Sequence, residues 1–464
     1  MAEDRVVEFI AGIRWEDLPR EVQEKARMCV VDNLGALLVG TLTKIGGIAS
    51  EYARETWPGT GATLFSGGKA SAVGAAFANA CAANGLDIDD CALYTWGHPG
   101  AQIFPSTLAV AEDLGLSGRH LLSGLVVGYE VAFRTARCWH DYRPVYQSCG
   151  SWGSVASAAA AAHLIGFPVA QIHHALGIAE YHAPNLPMMR DVQRPAMVKH
   201  GIGWGAMTGV ISAHLASRGY TGIPTLLGFE QYREWVEDIG RQYILPHGIV
   251  WKEYCCCAWA HPALEAIKTI ASRNDIPVDS IARIHILAYH EAACLGTRLP
   301  ATTEEAQFNM AWPVAALLLD GEVGPSQMLE HRLKDPRMRA LASKVEVEES
   351  EELNSLYRLS EANDPEGKDA AVVSIYMTDG GKIESGLVNN PCYPQPGWDR
   401  AKMEEKFRWL AQHLLTPKGI DQVTELAWHL DDVGDVREFT RAVTEGLLSR
   451  RPCGRSDSGQ GGFS

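Results

Sequence analysis

Helical segments that follow one another with short glycine- and proline-containing breaks are the feature that most constrains the fold of this chain. Residues 19–40 place apolar side chains at helical spacing, with Pro19 suited to the first turn and Gly40 to the exit. Three Ala-rich segments, 71–85, 152–165 and 203–218, carry small residues on several faces. Because small side chains let helices approach closely, we predict buried helices in an all-α domain.

The sequence pattern changes after residue 251. Residues 281–289 alternate between two faces as a strand does, and the segments 345–348, 371–377 and 382–388 are three further strand candidates. Helical spacing returns from residue 399 onward. A chain of 464 residues also exceeds the usual limit of roughly 250–300 residues for one core.

We therefore predict a mainly α protein, in which a smaller α+β lid domain is inserted into a large all-α helical domain. The predicted divisions are 1–250 for the first part of the helical domain, 251–397 for the lid and 398–450 for the C-terminal part of the helical domain. The Gly- and Ser-rich tail, 451–464, is expected to be disordered.

The charge balance narrows the choice of partners. Forty-one Lys and Arg against 56 Asp and Glu give a formal net charge of −15. Nucleic acid and anionic membranes both need a basic surface, so we expect neither as a partner. A small anionic substrate stays compatible, because a pocket can be locally basic within an acidic protein. With no secretory signal and no long apolar run visible, we expect a cytoplasmic protein with reduced cysteines.

The triplet Cys255-Cys256-Cys257 raises the question of a metal site. Adjacent residues do not easily converge on one tetrahedral ion, and no second pair of Cys or His residues has the usual ligand spacing. We therefore predict no metal. The glycines around Trp152 lack the strand that precedes a phosphate-binding loop, so no nucleotide cofactor is expected. No nucleophile-elbow motif occurs, which argues against a serine hydrolase.

Two segments carry groups suited to proton transfer. Residues 84–90 contain three aspartates, and His98 follows shortly after. A carboxylate beside a histidine is what proton transfer at a carbon acid requires, although helix capping and a loop histidine would give the same sequence. Residues 251–262 place Lys252 and His261 at the ends of an apolar stretch at the predicted domain junction, where pockets commonly form.

Two further segments are candidates for contacts with a substrate. Arg190, Arg194 and Lys199 lie in a connection just before a predicted helix, and cations beside a helix N-terminus can bind an anion. A solvated basic loop explains these residues equally well. Residues 306–312 are predicted to contribute packing and one wall of a pocket.

The order and spacing of these segments resemble the MmgE/PrpD family, which includes 2-methylcitrate dehydratase, cis-aconitate decarboxylase and iminodisuccinate epimerase. The resemblance extends over nearly the whole chain, to about Leu430. The matching segments are 32–40, 84–90 with His98-Pro99, 203–206, 219–222, 252–261 and 306–308. The family resemblance implies a large helical domain with an inserted lid, a homodimer and an enzyme that acts on small carboxylic acids.

The resemblance also implies roles for individual residues. Asp87 falls on an active-site aspartate of the family, and His98 falls on the histidine that protonates or deprotonates the substrate carbon. Lys199 and Lys252 match lysines that hold substrate carboxylates, and His261 matches a histidine at the lid junction. Together they would supply two cations for a polycarboxylate and a proton carrier that titrates near neutral pH.

Several positions depart from the pattern of the decarboxylases. Cys91 stands where that pattern has a threonine, Gln147 where it has a histidine, with His140 nearby, and Trp312 where it has a tyrosine. Lys199 is also one residue closer to the following Gly-Trp. The predicted contacts to substrate are Cys91, Arg190, Arg194, Gln147 and Trp312. The chain thus resembles a divergent branch of the family.

We predict a cofactor-independent lyase of the dehydratase type that acts on a small di- or tricarboxylic acid. Proton abstraction beside a carboxylate would use His98 and Asp87, with the cations binding the anion. Decarboxylation, or epimerisation by the same proton chemistry, is an alternative within the same family. A non-catalytic relative is a further alternative, because the departures remove polar groups from the predicted pocket.

Overall fold

Helices dominate the structure, as the sequence predicts. The computed structural model describes residues 2–361, 364–389 and 397–448, so the predicted disordered tail at 451–464 lies outside the described residues. The described residues form 22 α-helices and eight strands. The helices of the first half are α1 (Ala2–Gly12), α2 (Arg20–Gly40), α3 (Lys44–Thr56), α4 (Ala72–Ala83), α5 (Gly100–Leu114), α6 (Gly118–Tyr142), α7 (Cys149–Ile165), α8 (Val169–His182), α9 (Met189–Val192), α10 (Ile202–Ala216), α11 (Arg233–Val236) and α12 (Leu245–Gly248).

The remaining elements alternate between helices and strands before the last helices. The helices are α13 (His261–Ala271), α14 (His290–Ala293), α15 (Thr303–Gln307), α16 (Ala311–Asp320), α17 (Pro325–Met328), α18 (Pro336–Ala342), α19 (Glu351–Glu361), α20 (Arg400–Ala411), α21 (Pro417–Trp428) and α22 (Val436–Gly446). The strands are β1 (Ala62–Thr63), β2 (Lys69–Ala70), β3 (Cys91–Ala92), β4 (Ile249–Val250), β5 (Ile281–Ala288), β6 (Val345–Glu349), β7 (Ala370–Met377) and β8 (Lys382–Asn389).

The Ala-rich helix α7 lies at the centre of the helical part. It packs against α5, α6, α8 and α10, and all its residues except His163 and Ile165 are buried. Close contact with α10 depends on glycine, since a Cβ atom at Gly209 would lie 2.4 Å from the Cβ of Ser157. The small residues thus allow the close helix packing that the sequence predicts.

The helices after residue 399 return to the first part of the chain. Helices α20 and α21 pack against α2, and α22 packs against α5. Lys406 of α20 forms an ion pair with Asp32 of α2, and its ammonium group donates to the carbonyl of Ile88 at 2.9 Å. Helices from before residue 115 and from after residue 399 therefore build one helical body around the segment that contains Ile88.

Strands β5 to β8 form a four-stranded sheet in the order β6-β5-β7-β8. Strand β5 runs parallel to β6 and antiparallel to β7, and β8 is antiparallel to β7. Helix α13 packs against β7 and β8. All four predicted strands are confirmed to within one residue at each end. The division of the chain into domains at 250/251 and 397/398 stays a prediction.

Among the described residues, no single helix combines the length and apolar character for a membrane span, while the bent pair of α2 and α3 meets the criterion by length and composition only.

Candidate active site

The connection between α4 and α5 supplies the backbone of the site. Strand β3 in this connection pairs antiparallel with β4, placing Cys91 opposite Val250 and bringing the connection next to Lys252. The side chains of Asp87 and Asp89 are fully buried. Buried carboxylates need partners, and the surrounding residues supply them.

Asp87 is the centre of a buried charge cluster. Its Oδ2 accepts a hydrogen bond from Lys252 Nζ at 2.6 Å, while its Oδ1 lies 3.8 Å from Lys199 Nζ and 3.4 Å from His98 Nε2. Burial alone would raise the pKa of Asp87, but the two ammonium groups and the histidine hold that pKa well below its usual range. Asp87 is therefore a permanent anion between three cationic groups.

His98 lies between two carboxylates. Its Nδ1 is 2.9 Å from Asp89 Oδ2, and its Nε2 faces Asp87. The Cys91 sulfur lies 3.8 Å from Nδ1. Burial would lower the pKa of His98, but the facing Cys91, Asp89 and Asp87 groups raise it well above its usual range. Because both ring nitrogens face acceptors, the geometry favours the imidazolium form.

A second histidine, His200, stacks on His98. The ring centroids are 5.6 Å apart with an interplanar angle of 13°. His200 Nδ1 lies 2.9 Å from Asp191 Oδ2, and the ring of Phe308 packs against His200 edge-on. Burial lowers the pKa of His200 and outweighs the opposing effect of Asp191. The two imidazoles thus have pKa values displaced in opposite directions, as in pairs that divide acid and base roles.

Unusual backbone conformations accompany this cluster. Among the described residues, four non-glycine residues have positive φ: Asp87 (55°), Trp96 (47°), Lys199 (37°) and His200 (59°). All four belong to the charge cluster or to the cavity beside it. A non-glycine residue with positive φ costs free energy and is maintained only where the surrounding structure holds it, which is common at functional sites.

A cavity of about 190 Å³ opens beside the two histidines. Both histidines line it, together with Cys91, Ala92, Trp96, Gly97, Tyr146, Met188, Met189, Val192, Cys257, Ala258, Trp259, Glu291, Phe308, Tyr357, Glu361 and Asp369. The described residues of this lining include no lysine or arginine. The cavity therefore presents an imidazolium, aromatic rings and carboxylates to a ligand.

The same cluster contains three side chains close enough to share a metal ion: Asp87, His98 and His200 have ligand atoms within 4.8 Å of one another. The charges around them do not suit a cation. Lys252 Nζ lies 2.6 Å from Asp87. Burial would lower the pKa of His98, but the facing groups raise it and keep the ring protonated. A protonated imidazole offers no lone pair to a metal, so proton transfer is the chemistry that this arrangement supports.

The structure brings four of the five predicted catalytic residues together. Asp87, His98, Lys199 and Lys252 form the cluster, but the lysines face Asp87 and are almost fully buried, with 3% exposure for Lys199 and none for Lys252. Neither lysine lines the cavity. The resemblance implied that they hold substrate carboxylates, whereas the structure pairs them with a protein carboxylate.

The fifth predicted residue, His261, lies at the start of α13 and is buried. Its Nε2 is 3.3 Å from the carbonyl of Cys256, and its ring packs against Tyr254. Burial lowers the pKa of His261 to about 3, so the ring is neutral. It does not line the cavity, and a role for it in catalysis stays a prediction. Of the cysteine triplet, Cys256 is buried and Cys257 reaches the cavity.

The predicted substrate contacts are scattered. Cys91 lines the cavity beside His98. Gln147 is buried and lies opposite Pro187 in a β-bridge whose hydrogen bonds come from the flanking residues, outside the cavity lining. Arg190 is exposed away from the cavity lining, and Arg194 is exposed in a neighbouring groove.

Trp312 also lies away from the cavity. Its indole is completely buried in α16, and its Nε1 donates to the carbonyl of Gln327 at 3.0 Å. The aligned position implied a pocket residue, but the helix directs this ring into the core instead.

Three residues of the cluster were not singled out from the sequence. Asp89 orients His98, His200 stacks on it, and Gln307 joins the two halves of the site. Gln307 accepts from Lys199 Nζ at 2.7 Å and donates to the carbonyl of Gly85 at 3.0 Å. Asp89 and Gln307 lay within segments already identified as candidates, but no spacing rule distinguishes a contact partner from its neighbours.

Comparison with known proteins agrees with the resemblance seen in the sequence. Residues 4–233 match the MmgE/PrpD N-terminal domain, and residues 254–430 match the MmgE/PrpD C-terminal domain. The chain is 25% identical to cis-aconitate decarboxylase of Homo sapiens, over 93% of this chain and 92% of the relative. It is 23% identical to the Mus musculus protein of the same name, over 94% and 92%. A cis-aconitate decarboxylase-like protein, oryM of Aspergillus oryzae, is 23% identical over 94% and 96%.

Proposed function

This chain belongs to the MmgE/PrpD family, and from that premise we propose that it is a lyase that acts on a small carboxylic acid. The observation that carries the proposal is the pair of stacked histidines at the wall of the cavity, with Asp89 and Asp87 facing the two nitrogens of His98. This arrangement supplies a proton donor and a neutral proton acceptor without a cofactor.

We further propose that the reaction is decarboxylation. When CO₂ leaves, the C–C bond to the carboxylate breaks, its electron pair stays on the substrate carbon, and that carbon takes up a proton. His98 suits the last step, because the carboxylates around it keep its ring protonated although burial opposes this. Its Nε2 contact to Asp87, at 3.4 Å, is longer than its Nδ1 contact to Asp89, at 2.9 Å, so Nε2 delivers the proton. Relatives named cis-aconitate decarboxylase support this choice.

Dehydration, which the sequence favoured, is the second candidate. It needs a base to remove a proton beside a carboxylate, and His200 provides one, because burial lowers its pKa and leaves the ring neutral at physiological pH. His98 would then protonate the leaving hydroxyl group. The two reactions differ in their products, so one assay separates them.

In this proposal Lys199 and Lys252 act indirectly. By holding Asp87 as an anion, they fix a negative charge beside His98 and keep its proton in place. Buried charges that are already positioned need no reorganisation during the reaction, which is the usual source of electrostatic catalysis.

The test is turnover in D₂O with a panel of unsaturated, hydroxylated and amino-substituted carboxylic acids, including di- and tricarboxylic acids. Decarboxylation predicts CO₂ release with one solvent deuterium at the carbon that lost the carboxylate, whereas dehydration predicts a new double bond and no CO₂. His98→Asn should reduce kcat about 10²–10⁴-fold, the usual contribution of a general acid.

His429→Asn, at an exposed histidine that follows α21, is the matched control and should leave kcat unchanged. A His98→Asn variant as active as this control would refute the role of His98. Deuterium exchange into an unchanged substrate would point instead to an epimerase, and no turnover of any acid would favour a non-catalytic relative.

A further inference from the structure

One wall of the cavity is acidic. Glu291 of α14, Glu361 at the end of α19 and Asp369 just before β7 all line it. The three carboxylates are close enough to influence one another: partial desolvation, followed by Glu291 and Asp369, raises the pKa of Glu361 to about 7, although its side chain is still solvent-exposed. This acidic wall is built by residues 291–369, whereas the two histidines of the cavity, His98 and His200, lie in an earlier part of the chain.

Asp369 has an unsatisfied acceptor in this wall. Its relative exposure is 8%, and its Oδ1 has no hydrogen-bond partner within the described part of the chain. A buried carboxylate oxygen without a donor is costly, and native structures rarely retain one without a reason. The same carboxylate is hydrogen-bonded to Ser360, and its position in the cavity lining would let it accept a further N–H group from a ligand.

Aromatic rings accompany the carboxylates. Trp96 and Tyr146 meet edge to face with centroids 6.1 Å apart, and Tyr146 and Trp259 lie 6.3 Å apart. All three rings line the cavity. Aromatic faces attract ammonium groups through their quadrupoles, and carboxylates attract them by charge. Rings and carboxylates together therefore form a surface suited to a cationic nitrogen.

We propose that the substrate carries a cationic nitrogen in addition to its reacting carboxyl group, and that Asp369, Glu361 and Glu291 bind this nitrogen. The ligand class is an amino acid or another ammonium-bearing carboxylic acid. This proposal rests on the proposed function for the reacting end, but it assigns a separate recognition site to the acidic wall.

A substrate whose only charged groups are carboxylates would meet unfavourable charges at this wall. Its far carboxylate would approach three protein carboxylates, while the lysines of the cluster are already paired with Asp87. Burial, with a contribution from Glu291, also raises the pKa of Asp369 to about 6, which an ammonium ligand would reverse.

The test measures binding of matched probes by isothermal titration calorimetry at pH 7.5. The probes are 4-aminobutanoate, 5-aminopentanoate and 6-aminohexanoate, each compared with the alkanoate of the same heavy-atom length that has a methyl group in place of the ammonium group. We expect at least one amino acid to bind tenfold or more tightly than its alkanoate. Asp369→Asn should remove that preference and leave alkanoate binding within twofold.

Two further variants keep the test independent of folding defects. Glu361→Gln, at a solvent-exposed residue, should reduce the preference partly, whereas Glu352→Gln, an exposed position at the start of the same helix, should not change it. Equal affinities of amino acid and alkanoate in all three pairs would overturn the proposal. So would a preference that survives in Asp369→Asn.

Failure here is distinguishable from failure of the proposed function. If carboxylic acids are turned over through His98 but ammonium groups bring no preference, the lyase stands and the acidic-wall site is wrong. If the amino acids bind preferentially but nothing is turned over, the site stands and the lyase proposal fails.

Discussion

Replacing Asp87 by asparagine removes the anion from the centre of the buried cluster while preserving the shape of the side chain. Asparagine also tolerates the left-handed backbone found at this position, where φ is 55°. The change therefore isolates the effect of charge. Two ammonium groups, those of Lys252 at 2.6 Å and Lys199 at 3.8 Å, lose their nearest anion in an environment without solvent.

The size of the effect follows from burial. Unit charges about 4 Å apart attract by about 4 kcal/mol at an effective dielectric constant of about 20. Removing one partner of a buried ion pair costs about 3–5 kcal/mol, because the remaining charge stays buried without compensation. We therefore expect Asp87→Asn to lower the free energy of unfolding by about 3–5 kcal/mol at pH 7.

The assay is urea denaturation followed by circular dichroism, with Asp421→Asn as the matched control. Asp421 pairs with Arg408 on the surface, where both side chains are about half exposed or more, so its loss should cost less than about 1 kcal/mol. Adding Lys252→Met to Asp87→Asn should recover part of the loss, since it removes one of the uncompensated charges.

The pH dependence gives a second check. Burial would raise the folded-state pKa of Asp87, but the lysines lower it. Asp87 therefore contributes its full stabilisation of the folded state at pH values above its unfolded pKa of about 3.9. That contribution is lost as the pH falls through the lower folded value. The difference between wild type and Asp87→Asn should thus be constant from pH 5 to 7 and shrink in acid. A cost no larger than that of Asp421→Asn at pH 7 would refute the charge cluster.

Three further predictions concern single residues. Burial would lower the pKa of His98, but the facing Cys91, Asp89 and Asp87 groups raise the pKa of the folded state well above the unfolded pKa of about 6.5. His98 is therefore fully protonated below pH 6.5 and loses its proton as the pH rises through the folded pKa. The pH profile of kcat/KM should accordingly fall on its alkaline side, and a rise there would contradict the acid role. Trp312→Phe removes the hydrogen bond to Gln327 and should cost about 1–3 kcal/mol in urea denaturation with KM within twofold, whereas a large rise in KM would put the indole in the substrate site. We also predict a homodimer, as the sequence resemblance implies, with its interface at an apolar groove that includes Trp204, which is 53% exposed, and Val198, which is 64% exposed. Sedimentation velocity should show a dimer that Trp204→Glu converts to a monomer, and a monomeric wild-type protein would contradict this assignment.

The secondary structure was predictable because its signals are local. Alternation along β5 and the Ala-rich pattern of α7 each report which faces are buried, and the structure confirms both. Helical spacing resumes after residue 399 in the sequence, which predicted an α+β segment inserted into a helical part. The packing of the C-terminal helices against α2 is consistent with that prediction.

The partners of the charged groups were not predictable in the same way. The family resemblance singled out Asp87, Lys199 and Lys252. Which charges meet depends on the pairing of β3 with β4 and on the left-handed backbone at Lys199 and His200. Those features arise from tertiary structure. The sequence therefore predicted cations for the substrate, whereas the fold uses them to fix a protein carboxylate.

The positions of Trp312 and Arg190 show a related limit. A family pattern locates a residue along the chain, but the direction of a side chain depends on how its helix is packed. Trp312 lies on the buried face of α16, and Arg190 points to solvent. His200 shows the converse, because a histidine beside Lys199 gave no sign that its ring would stack on His98.

The proposed chemistry requires His98 to be held as the acid beside a neutral His200, and the titration of these two rings measures both protonation states. Long-range ¹H–¹⁵N spectra of protein labelled in its histidines, assigned with His98→Asn and His200→Asn, would follow both imidazoles from pH 5 to 9. The structure predicts that His98 titrates above 6.5 and His200 below it, each for the electrostatic reasons given above. The reverse order, or two neutral rings at pH 6, would rule out His98 as the acid.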